Sequence, residues 1–150
     1  MAAPEELQRT VARLSQEAGL DFNVTDQVVR GTQLYVVYTQ DHPFPAVYAV
    51  KMGTLGFRIP GTFPDAGPED SFFIQPATTK LECPDPVRGS IDINRAGQDP
   101  NFLAGTLLET EPALVFSWHL WNTRPWDRRR HTLMDQYTHC LRRFEQPEHD

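Results

Sequence analysis

Eleven of the chain's thirteen prolines fall between Pro43 and Pro125. Proline fixes φ and lacks a backbone donor, so it interrupts helices and central strands. The middle of the chain is therefore read as short strands and loops, and helices are confined to the two ends. At the first end, Pro4 suits a helix start and Glu5 and Glu6 favour its positive dipole end. Leu7, Val11, Leu14 and Ala18 share one helical face, and Gly19 is a C-cap. The spacing predicts a helix over 4–18. At the other end, Asp127 is the expected cap of a helix over about 127–145. Its stripe is Leu133, Tyr137, Cys140 with Leu141, and Phe144, closed by Pro147.

Between the helices, Val28-Val29-Arg30 leads to a turn at Gly31-Thr32, and residues 33–39 are rich in β-branched and aromatic side chains. After a His42-Pro43-Phe44-Pro45 loop, residues 46–52 alternate weakly. Gly53-Thr54 reads as a turn, 55–59 as a strand and 71–75 as another. Three prolines and two glycines in 59–68 exclude a helix or central strand there. No period is visible from 76 to 100, and 112–121 is apolar and aromatic, either strand or buried extended chain. Turns this short favour antiparallel pairing. The expected class is α+β: a four-stranded antiparallel meander covered on one face by both helices. Expected core residues are Leu7, Val11, Leu14, Leu34, Val36, Val50, Phe57, Ile59, Phe73, Leu133, Tyr137 and Phe144.

A chain of 150 residues supports one core, so 1–150 is read as a single domain. Hydrophobic residues make up 39% and charged residues 23%, which is a globular balance. A net charge of −6 repels phosphate backbones and argues against nucleic-acid binding. No apolar run approaches the ~20 residues that span a bilayer, so no membrane partner is expected. Residues 1–6 are acidic without an apolar core, so no secretory signal is read and a cytoplasmic setting is expected. Two cysteines make no disulfide framework, and both thiols are expected free.

The stretch Gly56-Phe57-Arg58-Ile59-Pro60-Gly61-Thr62-Phe63-Pro64-Asp65-Ala66-Gly67-Pro68, followed by Phe72-Phe73, resembles the signature of ubiquitin-conjugating enzymes. There a strand ends in an aromatic-Pro pair, a few residues pass, a Pro or Pro-Pro follows, and the next strand carries aromatics. The tail Phe116-Ser117-Trp118-His119, Trp121 and Arg124-Pro125 resembles a bacterial branch of that superfamily, the prokaryotic ubiquitin-conjugating-like family E. The resemblance implies a fold of N-terminal helix, four-stranded meander, irregular active-site stretch and C-terminal helix. It also implies a small β-grasp modifier, accepted as a thioester from a ubiquitin-activating-like enzyme and passed to an amine, with no cofactor. The family's His-Pro-Asn triplet has no counterpart here. Gly89-Ser90-Ile91-Asp92 resembles the sequence around the family's nucleophile, with Asp92 standing where Cys is expected.

Three residues are assigned to the chemistry. Cys83, between Glu82 and Pro84-Asp85-Pro86, is a loop cysteine suited to carry a thioester, although neighbouring carboxylates raise a thiol's pKa. Asp92 suits reception of an incoming ammonium. His119 is a candidate acid/base or oxyanion donor, the alternative being a structural histidine bonded to a backbone carbonyl. Cys140, on the apolar stripe, is read as a small buried hydrophobe. His42, His131 and His139 lack zinc spacing, so no metal is expected. Arg128-Arg129-Arg130 opens the last helix as a solvated face or a docking patch for an acidic partner. Two further readings stay open. One is a noncatalytic module of the same fold that binds and positions a modifier or activating enzyme. The other is an unrelated α+β binding domain.

Overall fold

The computed structural model describes residues 4–77, 79, 96–99, 101–117 and 125–145. The first helix, α1 (Glu5–Ala18), buries Leu7, Val11 and Leu14, as the spacing predicts. Gly19 ends it in the left-handed region at φ 70°, its N–H donating to the Ser15 carbonyl at 3.0 Å. Six strands follow among the described residues: β1 (Phe22–Val29), β2 (Thr32–Pro43), β3 (Met52–Pro60), β4 (Ser71–Gln75), β5 (Ala96–Asp99) and β6 (Ala113–Ser117). The second helix, α2, spans Leu133–Glu145. All ladders are antiparallel, in the order β1-β2-β3-β4-β6-β5. The expected four-stranded meander is present as β1 to β4, and β6 and β5 extend it.

Its membership differs from the expectation. Residues 22–29 form a full strand, joined to β2 through Arg30 and Gly31 at φ 52° and 79°. Two positive φ values are the signature of a twist-matched two-residue hairpin. Residues 44–51 are not a strand. Tyr48 N–H donates to the Pro45 carbonyl, and Lys51 Nζ donates to the carbonyls of Ala46 and Tyr48 at 3.1 and 2.6 Å. These bonds make a turn, and Tyr48 plugs into the core, its hydroxyl donating to the Phe144 carbonyl at 2.6 Å. Gly53-Thr54 does not turn the chain but lies inside β3. A Cβ on Gly53 would collide with the Gln75 carbonyl and the Phe44 ring, and one on Gly56 with the Val37 carbonyl and the Phe73 ring. Close approach, not chain reversal, requires these glycines.

One core lies between the sheet and both helices. Phe72 stacks on Phe116 there, with ring centroids 4.6 Å apart, and Phe144 of α2 sits against both. Of the expected core, Leu34 and Val50 are only partly buried and the others are buried. A second core, not foreseen, lies on the opposite face: Val36, Tyr38, Phe73 and Ala113 against Phe102, Leu103 and Leu108. Residues 101–111 cover that face as consecutive turns. Their carbonyls are held by the sheet. Gln27 Nε2 donates to the Phe102 and Ala104 carbonyls, both at 2.9 Å, and Gln75 Nε2 to those of Leu108 and Glu111 at 3.1 and 2.6 Å. An unpaired buried carbonyl costs about 1–3 kcal/mol, comparable to the ~1.5–3 kcal/mol gained by burying a leucine. The glutamines therefore decide whether Leu103 and Leu108 can be buried at all.

β2 continues through a bulge between Thr39 and His42, with Asp41 at φ 57°. This carries His42 into the helix-side core instead of a loop. Its Nδ1 lies 2.6 Å from the Pro43 carbonyl, an acceptor, so Nδ1 carries the proton and Nε2 accepts from the Tyr137 hydroxyl at 2.7 Å. Burial lowers the His42 pKa below 6.5, only partly offset by the Pro43 bond, and raises that of Tyr137 to about 12. Below pH 6.5 the unfolded chain binds a proton that folded His42 refuses, so stability is full above 6.5 and declines as the pH falls toward the folded value. Urea midpoints at pH 7.5, 6.5 and 5.5 should fall for the native chain, and His42→Gln should flatten that slope while lowering stability at pH 7.5.

Candidate functional site

The segment that carries the family resemblance connects β3 to β4. Gly61 N–H donates to the Gln33 carbonyl at 3.0 Å, Phe63 N–H to Pro60 and Asp65 N–H to Thr62, also at 3.0 Å. The Phe63-Pro64 peptide is cis. Trp126 is the anchor: its Nε1–H donates to the Pro64 carbonyl at 2.8 Å, and its ring lies 5.6 Å from that of Phe63. Gly67 passes so close to the Trp126 ring that a Cβ would collide with it. Asp65 pairs with Arg128. At the far end Arg58 holds the Glu69 carboxylate through Nε and Nη2, and Gln136 of α2 donates to the Glu69 carbonyl at 3.1 Å. The same Arg58 guanidinium lies 3.9 Å from the centre of the Phe102 ring, so one residue joins this loop to the second layer.

α2 starts six residues later than the sequence suggests. Asp127 does accept a backbone bond, from Arg129 N–H at 2.9 Å, but this closes a turn before the helix. The helix start is served by Asp135, whose carboxylate accepts from Thr132 N–H at 2.7 Å. Arg128-Arg129-Arg130 thus lies ahead of α2 and does not oppose its dipole. His131 Nδ1 accepts from Asp127 N–H at 2.9 Å, which leaves the proton of the neutral ring on Nε2, and the ring lies 5.6 Å from Trp126.

A cleft of about 220 Å³ opens between α1 and this assembly, walled by Arg13, Glu17, Phe63, Pro64, Trp126 and His131 among others. Its cations are engaged: Arg13 with Glu17 at 2.9 Å, and Arg128 with Asp65. Such exposed pairs contribute at most about 1 kcal/mol each. The cleft is therefore an aromatic wall with charge-balanced rims, and no cluster of metal-ligating side chains occurs among the described residues.

Cys140 is fully buried on α2, and desolvation pushes its thiol well above the ordinary range. A thiol held neutral in hydrocarbon is not a nucleophile, in line with its reading as a core filler. Cys83, Asp92 and His119 lie outside the described residues. The nearest described residues in sequence are Thr79 for Cys83, Ala96 for Asp92 and Ser117 for His119. Ala96 pairs with Phe116 and Ser117 with Ser71, so the anchors of Asp92 and His119 share one end of the sheet. Thr79 follows the other end of β4, its hydroxyl bonded to the Pro76 carbonyl at 2.7 Å. Sequence reasoning missed His42 and Trp126 as organising residues. An aromatic directly after Pro125 was a usable signal for Trp126, whereas the His42–Tyr137 bond joins residues 95 apart and has no local sign.

No protein-family model matches the chain, and no curated protein or solved structure is significantly similar to it.

If Gly67 is required by the Trp126 ring, Gly67→Ala should displace the indole and free the loop. The expected result is faster amide exchange at Phe63 and Asp65 and a loss of about 1–3 kcal/mol in urea unfolding. Trp126→Phe, which keeps an aromatic ring but removes the Nε1–H bond, should cost about 1 kcal/mol.

Proposed function

We propose that the chain is a ubiquitin-conjugating-like protein of a bacterial modification system. It accepts a small β-grasp modifier from an activating enzyme as a thioester and passes it to an amine. The observation that carries the reading is the connection between the third and fourth strands of the meander. Phe63-Pro64 and Pro68 lie in that loop, past the end of β3 at Pro60, and the aromatic pair Phe72-Phe73 follows in β4. The flanking helices, both packed on one face of the meander, agree with the family's element order.

The chain has two cysteines, and Cys140 is buried on α2. Thiol chemistry therefore falls to Cys83. Its thiolate attacks the thioester carbonyl held by the activating enzyme; the new carbon–sulfur bond forms as the enzyme's thiol leaves. An acceptor amine then attacks the same carbonyl, and the Cys83 thiolate leaves. The proton released by the amine goes to Asp92 or His119. The noncatalytic reading is favoured by two features, the absence of a His-Pro-Asn triplet and the position of Cys83, which comes several residues earlier after Pro68 than the family's nucleophile would.

Incubation with the activating enzyme, ATP and modifier of the same system should give an adduct that thiol reductant removes. Cys83→Ser should convert it to a reductant-stable ester, and Cys140→Ser should leave it intact while costing about 1–3 kcal/mol of stability for a buried hydroxyl. An adduct that survives Cys83→Ala would refute the assignment. Retention of the modifier in a pull-down without any adduct would establish the binding module instead.

A further inference from the structure

Glu69 is held from three directions, and the holds belong to different parts of the fold. Its N–H donates to the Arg58 carbonyl of β3 at 3.1 Å. Its own carbonyl accepts from Gln136 Nε2 of α2, also at 3.1 Å. Its carboxylate accepts from Arg58 Nε, 3.0 Å from each oxygen, and from Nη2 at 2.7 Å. The two side chains of this pair are 19% and 30% exposed, so water and salt screen it less than the surface pairs Arg13–Glu17 and Arg128–Asp65.

A guanidinium is planar and rigid. Once its Nε–Nη2 edge is fixed on Glu69, the plane of the group and the direction of Nη1 are set. Both are used on the second layer. The guanidinium carbon lies 3.9 Å from the centre of the Phe102 ring, and Nη1 donates to the Phe102 carbonyl at 3.4 Å. That carbonyl also receives a Gln27 bond, and the Phe102 ring packs against Phe73 of the second core, centroids 5.7 Å apart. A carboxylate in the β3–β4 loop therefore orients the group that grips the layer, which makes Glu69 a positioning residue acting through Arg58.

On the helix side the same loop leans on Trp126, with Gly67 against the indole. One residue, Pro68, separates Gly67 from Glu69; it is buried, and its ring fixes φ. A shift at Gly67 has little slack in which to decay before it reaches Glu69. We propose that Glu69 and Arg58 form a clasp through which a displacement of the β3–β4 loop on the helix side is transmitted to residues 101–111 on the opposite face. Whatever moves the loop from the cleft beside α1 then loosens the second layer, and by linkage whatever loosens the layer frees the loop. The clasp is independent of the conjugation reading.

The test uses the full chain and amide exchange at Phe102 and Thr106, whose N–H groups donate to the Asp99 and Leu103 carbonyls. Val36 and Val37 of β2, a strand paired on both sides, report global opening. Gly67→Ala pushes the loop from the helix side and should speed Phe102 and Thr106 by about fivefold or more beyond any change at Val36 and Val37. Trp126→Phe, a milder push that removes the bond to Pro64, should do so by about twofold or more. Arg58→Lys keeps the charge and loses the planar fork, so layer exchange should start faster there and Gly67→Ala should add less than about twofold. In the reverse direction, Phe102→Leu removes the ring that the guanidinium faces and should speed Phe63 and Asp65 by about twofold or more beyond Val36 and Val37. The proposal fails if Phe102 and Thr106 change only as much as Val36 and Val37 in both loop variants. It fails equally if Gly67→Ala keeps its full effect in the Arg58→Lys background, which would assign the transmission to another route, or if Phe102→Leu leaves Phe63 and Asp65 unchanged.

Discussion

β4 is covered from both sides, and the rest of the architecture answers to that. Phe72 and Ile74 face the helices, while Phe73 faces the opposite layer; all three are fully buried. A strand with apolar side chains on both faces cannot border water on either. Two helices supply one cover. The other is supplied by the turns of residues 101–111, the connection between β5 and β6. The glycines of β3 belong to the same constraint, because Gly56 leaves the space in which Phe73 lies and Gly53 admits the Gln75 backbone.

Irregular chain laid on a buried sheet creates a polar problem that a helix does not have. Helix carbonyls are satisfied internally, whereas those of 101–111 need partners from the sheet. Gln27 and Gln75 are long enough to reach over the second core and are themselves buried, at 2% and 4% exposure. Each carries two donors, and each spends both on loop carbonyls. Gln27 Oε1 has no hydrogen-bond partner among the described residues, so the arrangement favours the layer's carbonyls over the residue's own acceptor. Arg58 adds a third tie, bridging Glu69, the Phe102 ring and the Phe102 carbonyl at 3.4 Å.

The parts of the fold legible in the sequence are those encoded locally. α1 is such a case, since Pro4, the apolar spacing and Gly19 all act within one turn of where they sit. The hairpin is another, although the sequence reading sets it one residue late, at Gly31-Thr32 and not at Arg30-Gly31. Ambiguity arises where one residue type serves two purposes. Gly53 was read as a turn because glycine marks turns, but it marks close backbone approach equally well. Asp127 was read as a helix cap, and its carboxylate does receive a backbone N–H, in a turn that precedes α2. β1 has a weaker local pattern, because Gln27, a polar residue, is buried and bonded to the Phe102 carbonyl 75 residues away. At the candidate site, the resemblance segment was legible as a motif, but its anchor Trp126 lies 62 residues from the Pro64 carbonyl it binds.

The two faces of the sheet differ in what holds them, and this bears on the site. The helix side is a continuous aromatic cluster in which Tyr48 and His42 bind groups of α2. The second layer has a smaller apolar cluster and relies on side-chain amides and one guanidinium. Local opening follows the weaker of two such attachments. The layer is also the connection between β5 and β6, and the anchors of Asp92 and His119 are the far ends of those two strands. Through Arg58 it reaches the β3–β4 loop as well. Loosening the amide contacts therefore bears on the β3–β4 loop and on the paired ends of β5 and β6, while Cys140 and its surroundings on the helix side stay closed.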